Sequence, residues 1–250
     1  MLHSVEFMRP WLQLVGCVLV LTGCASTVPE VQRDRAAVRS HLPLSFSAQD
    51  QLQWEAVDIP GKLRTAFMLD KHQGRSSLRA DSERSASMLR QKLHITPDQL
   101  QRLSFEWQVE NLIPEADMRH RETEDSPVRL ILAFDGDRQK FSAKNAMLSE
   151  LSRALTGEEM PYATLMYVWS NQQPVDTVIL NPRTDRIRKI VVETGPAHLK
   201  QWRRYERQIR ADFEKAFGEP PGALIGLAIM SDTDNTQSTA RAWYGEIRLD

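Results

Sequence analysis

The chain has 250 residues, 41% of them hydrophobic and 26% charged, with a formal net charge of −1. That balance excludes a disordered, highly charged chain, and it carries no basic excess of the kind that binds nucleic acid. With only two cysteines, Cys17 and Cys24, the chain is not a disulfide scaffold either.

The first element is the apolar run Trp11–Leu21, preceded by Arg9 and closed by Leu21-Thr22-Gly23-Cys24. Basic, apolar and small-residue regions in that order are the plan of a secretory signal. The run is about a dozen residues, short of the roughly 20 that a membrane span needs. A cysteine at the end of the small-residue region marks a bacterial lipoprotein signal over residues 1–23, with Cys24 as the lipidated residue. Acyl chains on Cys24 would then make the membrane a partner of the chain. Ala25, in place of Asp, points to the outer membrane, with the protein facing the periplasm. Cys17 leaves with the signal, so stability must come from a hydrophobic core rather than a disulfide.

Residues 24–48 read as a tether. Ser26, Thr27 and Pro29 open it, and Arg33-Asp34-Arg35 follows without an apolar period. Residues 49–250 are expected to form one domain.

That domain reads mainly as β-structure. Strands are expected over Arg64–Leu69, Ser76–Ala80, Leu103–Val109, Val128–Phe134, Thr164–Trp169, Thr177–Leu180, Ile187–Thr194, Leu224–Met230 and Thr239–Leu249. Phe105, Trp107 and Val109 share one face, with Ser104, Glu106 and Gln108 on the other. In the last strand the alternation sets Trp243, Ile247 and Leu249 against Tyr244, Glu246 and Arg248. Ala223–Met230 is almost wholly apolar, as a strand covered on both faces would be.

Two helices interrupt the strands, over Asn145–Leu155 and His198–Phe217. In the second, Leu199, Trp202, Ile209, Phe213 and Phe217 fall at near-helical spacing, and Gly218 and Pro220-Pro221 stop it. Lys200, Arg203, Arg204, Arg207 and Arg210 lie on its other side, as a solvated face or a contact for anionic lipid headgroups. Helices are too few to cross over between successive strands. The fold class is therefore an antiparallel two-sheet β-sandwich, jelly-roll-like, with a packed amphipathic helix.

The mature chain resembles a family of bacterial exported proteins, the domain-of-unknown-function family 3047. The matching residues begin with Trp54, Lys62 and Thr65, and continue through Ser85-Ala86-Ser87 and Asp125-Ser126-Pro127-Val128-Arg129. Tyr167-Val168-Trp169-Ser170-Asn171 and Phe217-Gly218-Glu219-Pro220-Pro221 follow. Ile229-Met230-Ser231-Asp232-Thr233-Asp234-Asn235-Thr236 and Tyr244-Gly245-Glu246-Ile247 are the most specific blocks. The family's Trp-x-Trp stands here as Phe105-Glu106-Trp107. The resemblance implies no established activity. The closing aspartate-rich turn and strand also resemble carbohydrate-binding jelly rolls.

Several polar groups stand out. Asp232, Asp234 and Asn235 form either a hairpin turn, in which their side chains bond nearby amides, or a Ca²⁺ site. Arg129 alternates with Ile131 and Ala133 on one strand face, opposite Val128, Leu130, Leu132 and Phe134. A cation in that setting needs a partner, and Glu106 or Asp125 could supply it. Tyr167 and Trp169 share a face ending at Asn171, either as sandwich core or as a surface that stacks a sugar and bonds its hydroxyls. Tyr244 joins this ligand-binding set. Glu115–Asp125 reads as a solvated loop or the cap of a site. The chain contains no HExxH, no P-loop and no Gly-x-Ser-x-Gly. The reading is a tethered, non-catalytic binding or envelope-structural module, with glycan or envelope polysaccharide as ligand. The alternative is a carbohydrate-active hydrolase or lyase using Glu106, Asp125 and Asp232.

Overall fold

The computed structural model describes residues 54–249 and the backbone of Leu42–Leu44. The signal, Cys24 and most of the tether lie outside the described residues. Leu42–Leu44 falls within the stretch read as tether, yet it is a strand, β1, paired with the last strand of the chain.

The strands that follow are β2 Glu55–Asp58, β3 Ala66–His72, β4 Arg75–Glu83, β5 Ala86–Ile95, β6 Arg102–Val109 and β7 Ser126–Phe134. After the helix α1, Ala143–Thr156, come β8 Ala163–Ser170, β9 Val178–Leu180, β10 Ile187–Thr194 and β11 Arg203–Gln208. A short helix α2, Ile209–Phe217, precedes β12 Leu224–Asp232 and β13 Thr239–Leu249. They build two sheets. A six-stranded sheet runs β11-β6-β13-β4-β3, with β1 beside β13, and a seven-stranded sheet runs β2-β5-β12-β7-β8-β10-β9. Only β8 and β10 pair in parallel; every other strand pair among the described residues is antiparallel.

The expected alternation fills the space between the sheets. Leu103, Phe105, Trp107 and Val109 of β6 meet Val128, Leu130, Leu132 and Phe134 of β7 in one continuous core. Phe105 stacks on Tyr167 across the gap, with ring centroids 5.5 Å apart. Burying a side chain of this size contributes about 1.5–3 kcal/mol each. In α2, Phe213 packs edge-on against Phe134 at 4.7 Å. Gly218, in the left-handed conformation, ends α2 as the sequence requires.

Four expectations are corrected. Arg203–Gln208 is a strand, not the first half of a helix. It pairs with β6, which brings the Tyr205 ring to 5.3 Å from Phe105 and 5.5 Å from Trp107. Tertiary pairing overrides the helical period there. The basic residues consequently share no helix face: Arg203 pairs with Glu193, Arg207 with Asp212 and Lys200 with Glu110.

The alternation of β13 also reverses. Its register with β6 shifts between Tyr244 and Ile247, so Tyr244 joins Ile247 and Leu249 in the core while Trp243 faces outward. One extra residue at a bulge swaps the faces of everything beyond it.

Glu115–Asp125 is not a solvated loop throughout. Met118 packs with Val168, Ile179 and Val191 on the outer face of the seven-stranded sheet, and Glu124 and Asp125 are buried.

Finally, strand β5 was not expected. It carries Arg90 and Lys92 among its apolar residues, and becomes a strand by pairing with β12 and β2. The helix α1 forms where expected, but it packs unusually. Asn145 and Ser149 are buried, while Met147, Leu151 and Leu155 are exposed. Asn145 faces inward because its amide accepts from Thr184 Oγ1 at 2.7 Å and donates to Asp185.

Candidate functional site

Because β7, β8 and β12 alternate, their second faces point away from the core. There Ala86, Ile131, Ala228 and Met230 cluster with Met88 and Met166. These residues floor a cleft of about 740 Å³. Ser152, Leu155 and Thr156 at the end of α1 line it, as do Glu158 and Pro161. Methionine side chains are flexible and polarizable, so such a floor adapts to an apolar surface laid on it.

One end of the cleft is charged. Arg129 projects from β7, with Nη2 at 2.9 Å from Asp232 Oδ2 and 2.7 Å from the Glu124 carbonyl. Glu124 Oε1 lies 2.8 Å from Lys189 Nζ, and it accepts from Asn181 at 2.8 Å. Arg183 Nη1 reaches Glu124 Oε2 at 3.2 Å. Lys62 pairs with Asp234. Asp125, Asp232 and Asp234 bring carboxylate oxygens within 4.8 Å of one another. Arg129 and Lys189 thus offset Glu124 and Asp232 in a buried network, with the exposed Arg183 and Lys62 reaching Glu124 and Asp234 from its edge. Unpaired, the buried members would cost several kcal/mol each, by the usual order of magnitude.

The electrostatics follow from burial. Asp232 is held well above the usual carboxylate range, first by desolvation and then by the neighbouring carboxylates of Asp125 and Asp234, against the opposing effect of Arg129. Lys189, 0% exposed, is pulled down to about 8 by desolvation and by Arg129, against the pull of Glu124. Titratable groups perturbed in this way beside a cleft are a mark of functional sites.

The structure disperses the residues picked from sequence. Tyr167 and Trp169 are 0% and 1% exposed and belong to the core. They are not a stacking surface, because β8 turns that face toward β6. Tyr167 donates its hydroxyl to Asp212 and Trp169 its indole N–H to the Gly195 carbonyl. Asn171 donates to the Ile113 carbonyl at 2.8 Å and so pins the 110–125 loop. Tyr244 is core and does not line this cleft. Glu106 pairs with Arg75 at 2.6 Å on the outer face of the six-stranded sheet. It therefore meets neither Arg129 nor the aspartates, which lie on the other sheet.

Arg129 does need a partner, as expected, but Asp232 and Glu124 supply it rather than Glu106 or Asp125. Asp125 instead closes the turn. Its carboxylate accepts from the Asn235 N–H at 3.1 Å and from the Thr236 N–H and hydroxyl at 2.7 and 2.6 Å. Asp232 and Asp234 lie beside it, while the Asn235 amide donates away from them, to the Arg121 carbonyl. Glu124, Lys189, Lys62 and Arg183 were missed. Lys189 carried the same signal as Arg129, a cation alternating with Ile187 and Val191 along a strand.

Fold and site together define a two-sheet β-sandwich protein with a ligand-sized cleft across one outer face. The chain belongs to the family whose model is described as a protein of unknown function, DUF3047, which matches residues 52–248. No curated protein matches the sequence. Among solved structures, a family 11 carbohydrate-binding module of a Clostridium thermocellum cellulase is 8% identical, with a TM-score of 0.38 over 79% of this chain and 86% of that one. The xyloglucanase domain of NopAA from Sinorhizobium fredii is 9% identical, with a TM-score of 0.40 over 77% and 92%. Endoglucanase 3 of Trichoderma harzianum, from family GH12, is 6% identical, with a TM-score of 0.38 over 83% and 96%. Scores at this level carry no argument about ligand or activity.

Proposed function

We propose that this protein is a non-catalytic binding module of the cell envelope whose ligand lies in the cleft across the seven-stranded sheet. The cleft itself carries the reading: an apolar floor of Met88, Ile131, Met166 and Met230 flanked by polar and charged side chains. A glycan strand has the matching chemistry, since each sugar ring offers an apolar C–H face and an edge of hydroxyls. Glycan or envelope polysaccharide is therefore the proposed ligand class. The hydrolase alternative has little support, because Glu106 stands on the opposite sheet from Asp125 and Asp232. Attachment through Cys24 to the outer membrane, facing the periplasm, rests on the Leu21–Cys24 signal.

The test is a screen of the purified Cys24→Ser chain against glycans and peptidoglycan fragments, repeated with Ala133→Trp, which fills the cleft. Retention by the first and loss by the second supports the reading. No retention, or retention indifferent to Ala133→Trp, rejects it. The anchor is tested separately with a fatty-acid analogue, whose incorporation should disappear in Cys24→Ser. Equal labelling of both chains would remove the anchor.

A further inference from the structure

The apolar floor of the cleft is built from the middle of the seven-stranded sheet. Ala86 and Met88 come from β5, Ala228 and Met230 from β12, Ile131 from β7 and Met166 from β8. Each of these four strands is paired on both sides, so its backbone is committed to the sheet. The side chains bring aliphatic carbon and a weakly accepting sulfur. None of the described side chains lining the cleft is aromatic, so no flat ring is present to stack a sugar. A hydroxyl or peptide group pressed onto this floor would lose water and gain no partner. A sugar must turn its hydroxyls to the rim, whereas an aliphatic chain has nothing to satisfy.

A line of exposed apolar side chains leads from the cleft along α1. Met147, Leu151 and Leu155, one turn apart, are 63, 52 and 62% exposed, and Leu155 lines the cleft. The helix is held this way round from its inner side. Asn145 bonds to Thr184 and Asp185, Ser149 is buried, and Ser152 donates to the Glu158 carbonyl at 2.9 Å. An apolar stripe built outward in this way marks a contact. A protein partner needs about 800 Å² per side, far more than these side chains supply. A cleft of about 740 Å³ is the size that takes a small ligand. The anchor proposed at Cys24 supplies the setting. Even fully extended, the stretch from Cys24 to Leu42 spans at most about 65 Å, which keeps cleft and stripe within reach of lipid.

We propose that the ligand of the cleft is a glycolipid. Its acyl chain lies on the methionine floor and passes Leu155 toward Leu151. Its sugar head group sits at the polar rim, which Asn181, Arg183 and Lys62 line. The proposal rests on the binding reading above and narrows its ligand from a glycan to one that carries an aliphatic chain.

The experiment is isothermal titration calorimetry of the Cys24→Ser chain. The probes are methyl, hexyl and octyl glucoside, each below the concentration at which it forms micelles, and sodium octanoate. Each methylene laid on the floor should tighten binding about fourfold, so octyl glucoside should bind roughly 15-fold tighter than hexyl. Methyl glucoside should bind most weakly. Ala133→Trp fills the cleft and should abolish binding of octyl glucoside. Leu155→Gln, a change at an exposed position, should weaken it several-fold, and decides the matter if Ala133→Trp does not fold. Octyl glucoside that binds parent and variants alike is held elsewhere, which overturns the proposal. So does octanoate bound as tightly as octyl glucoside, since the sugar is then not read. An affinity that does not grow with chain length overturns it too. If glycan fragments are still retained by the parent and lost in Ala133→Trp, that last outcome leaves the binding reading standing. If neither glucosides nor glycans bind in the cleft, the reading beneath the proposal falls as well.

Discussion

Tyr244 and Arg129 tie the two sheets together. The Tyr244 hydroxyl, on β13, accepts from the Arg129 backbone N–H at 3.2 Å and donates to the Met230 carbonyl at 2.6 Å. It does so where the β7–β12 register shifts, between Met230 and Asp232. The same bulge sets Asp232 beside the Arg129 guanidinium. A core hydroxyl thus fixes the strand that carries the charged end of the cleft. Tyr244→Phe should leave a buried N–H and C=O unpaired and cost about 1–3 kcal/mol. A urea melt measures it, and an unchanged midpoint would mean the tie is not structural.

Trp169→Ala separates core from surface. Trp169 lies in the main core, so its truncation should cost roughly 3–5 kcal/mol. Met166→Ala, on the cleft floor, should cost less and impair retention of a glycan instead. Thermal melts and the glycan screen on both variants check this. A stable Trp169→Ala chain would return the residue to the surface.

Asp125, not Asp232, caps the turn after β12. Asp125→Ala removes three accepted hydrogen bonds and should cost at least roughly 1.5–3 kcal/mol, the scale of one such bond to a charged group. Millimolar Ca²⁺ should leave the wild-type melting temperature alone, since Lys62 and Arg129 already face Asp234 and Asp232. A calcium-dependent rise reversed by chelator would make the cluster a metal site.

Glu158 holds the wall of the cleft to β5. The Arg90 guanidinium, with Lys92, keeps its carboxyl near 2, against an ordinary 4.5. A lowered carboxylate pKa means that the unfolded chain binds more protons on acidification. The stabilisation is present above pH 4.5 and is lost as pH falls toward about 2. Urea midpoints over that window should fall less steeply in Glu158→Gln. Parallel profiles would show that the pair contributes nothing.

Lys189 gives a slope of the same sign at alkaline pH. Its amine titrates at about 8 in the fold and at 10.5 when unperturbed. Between those values the unfolded chain carries more protons, so stability from this group rises with pH. Lys189→Met should lack that rise. A wild-type chain with no such slope would place the amine's pKa back at its ordinary value.

Much of the fold was legible in the sequence because alternation is local. Phe105, Trp107 and Val109 declared one face of β6, and Val128 to Phe134 declared one face of β7. Gly218 declared the end of α2. Arg129 declared that it needed a partner. What the sequence could not supply was decided by pairings between distant residues. Alternation says that Tyr167 and Trp169 share a face, but both faces of β8 are covered, and only the opposing sheet shows which is core. Arg203–Gln208 becomes a strand because β6 lies beside it. The partner of Arg129 is Asp232, 103 positions away, set in place by a bulge that no local pattern announces. Hydrophobic period is written in neighbouring residues, whereas the charged end of the cleft exists only once β12, β7, β8 and β10 are assembled into one sheet.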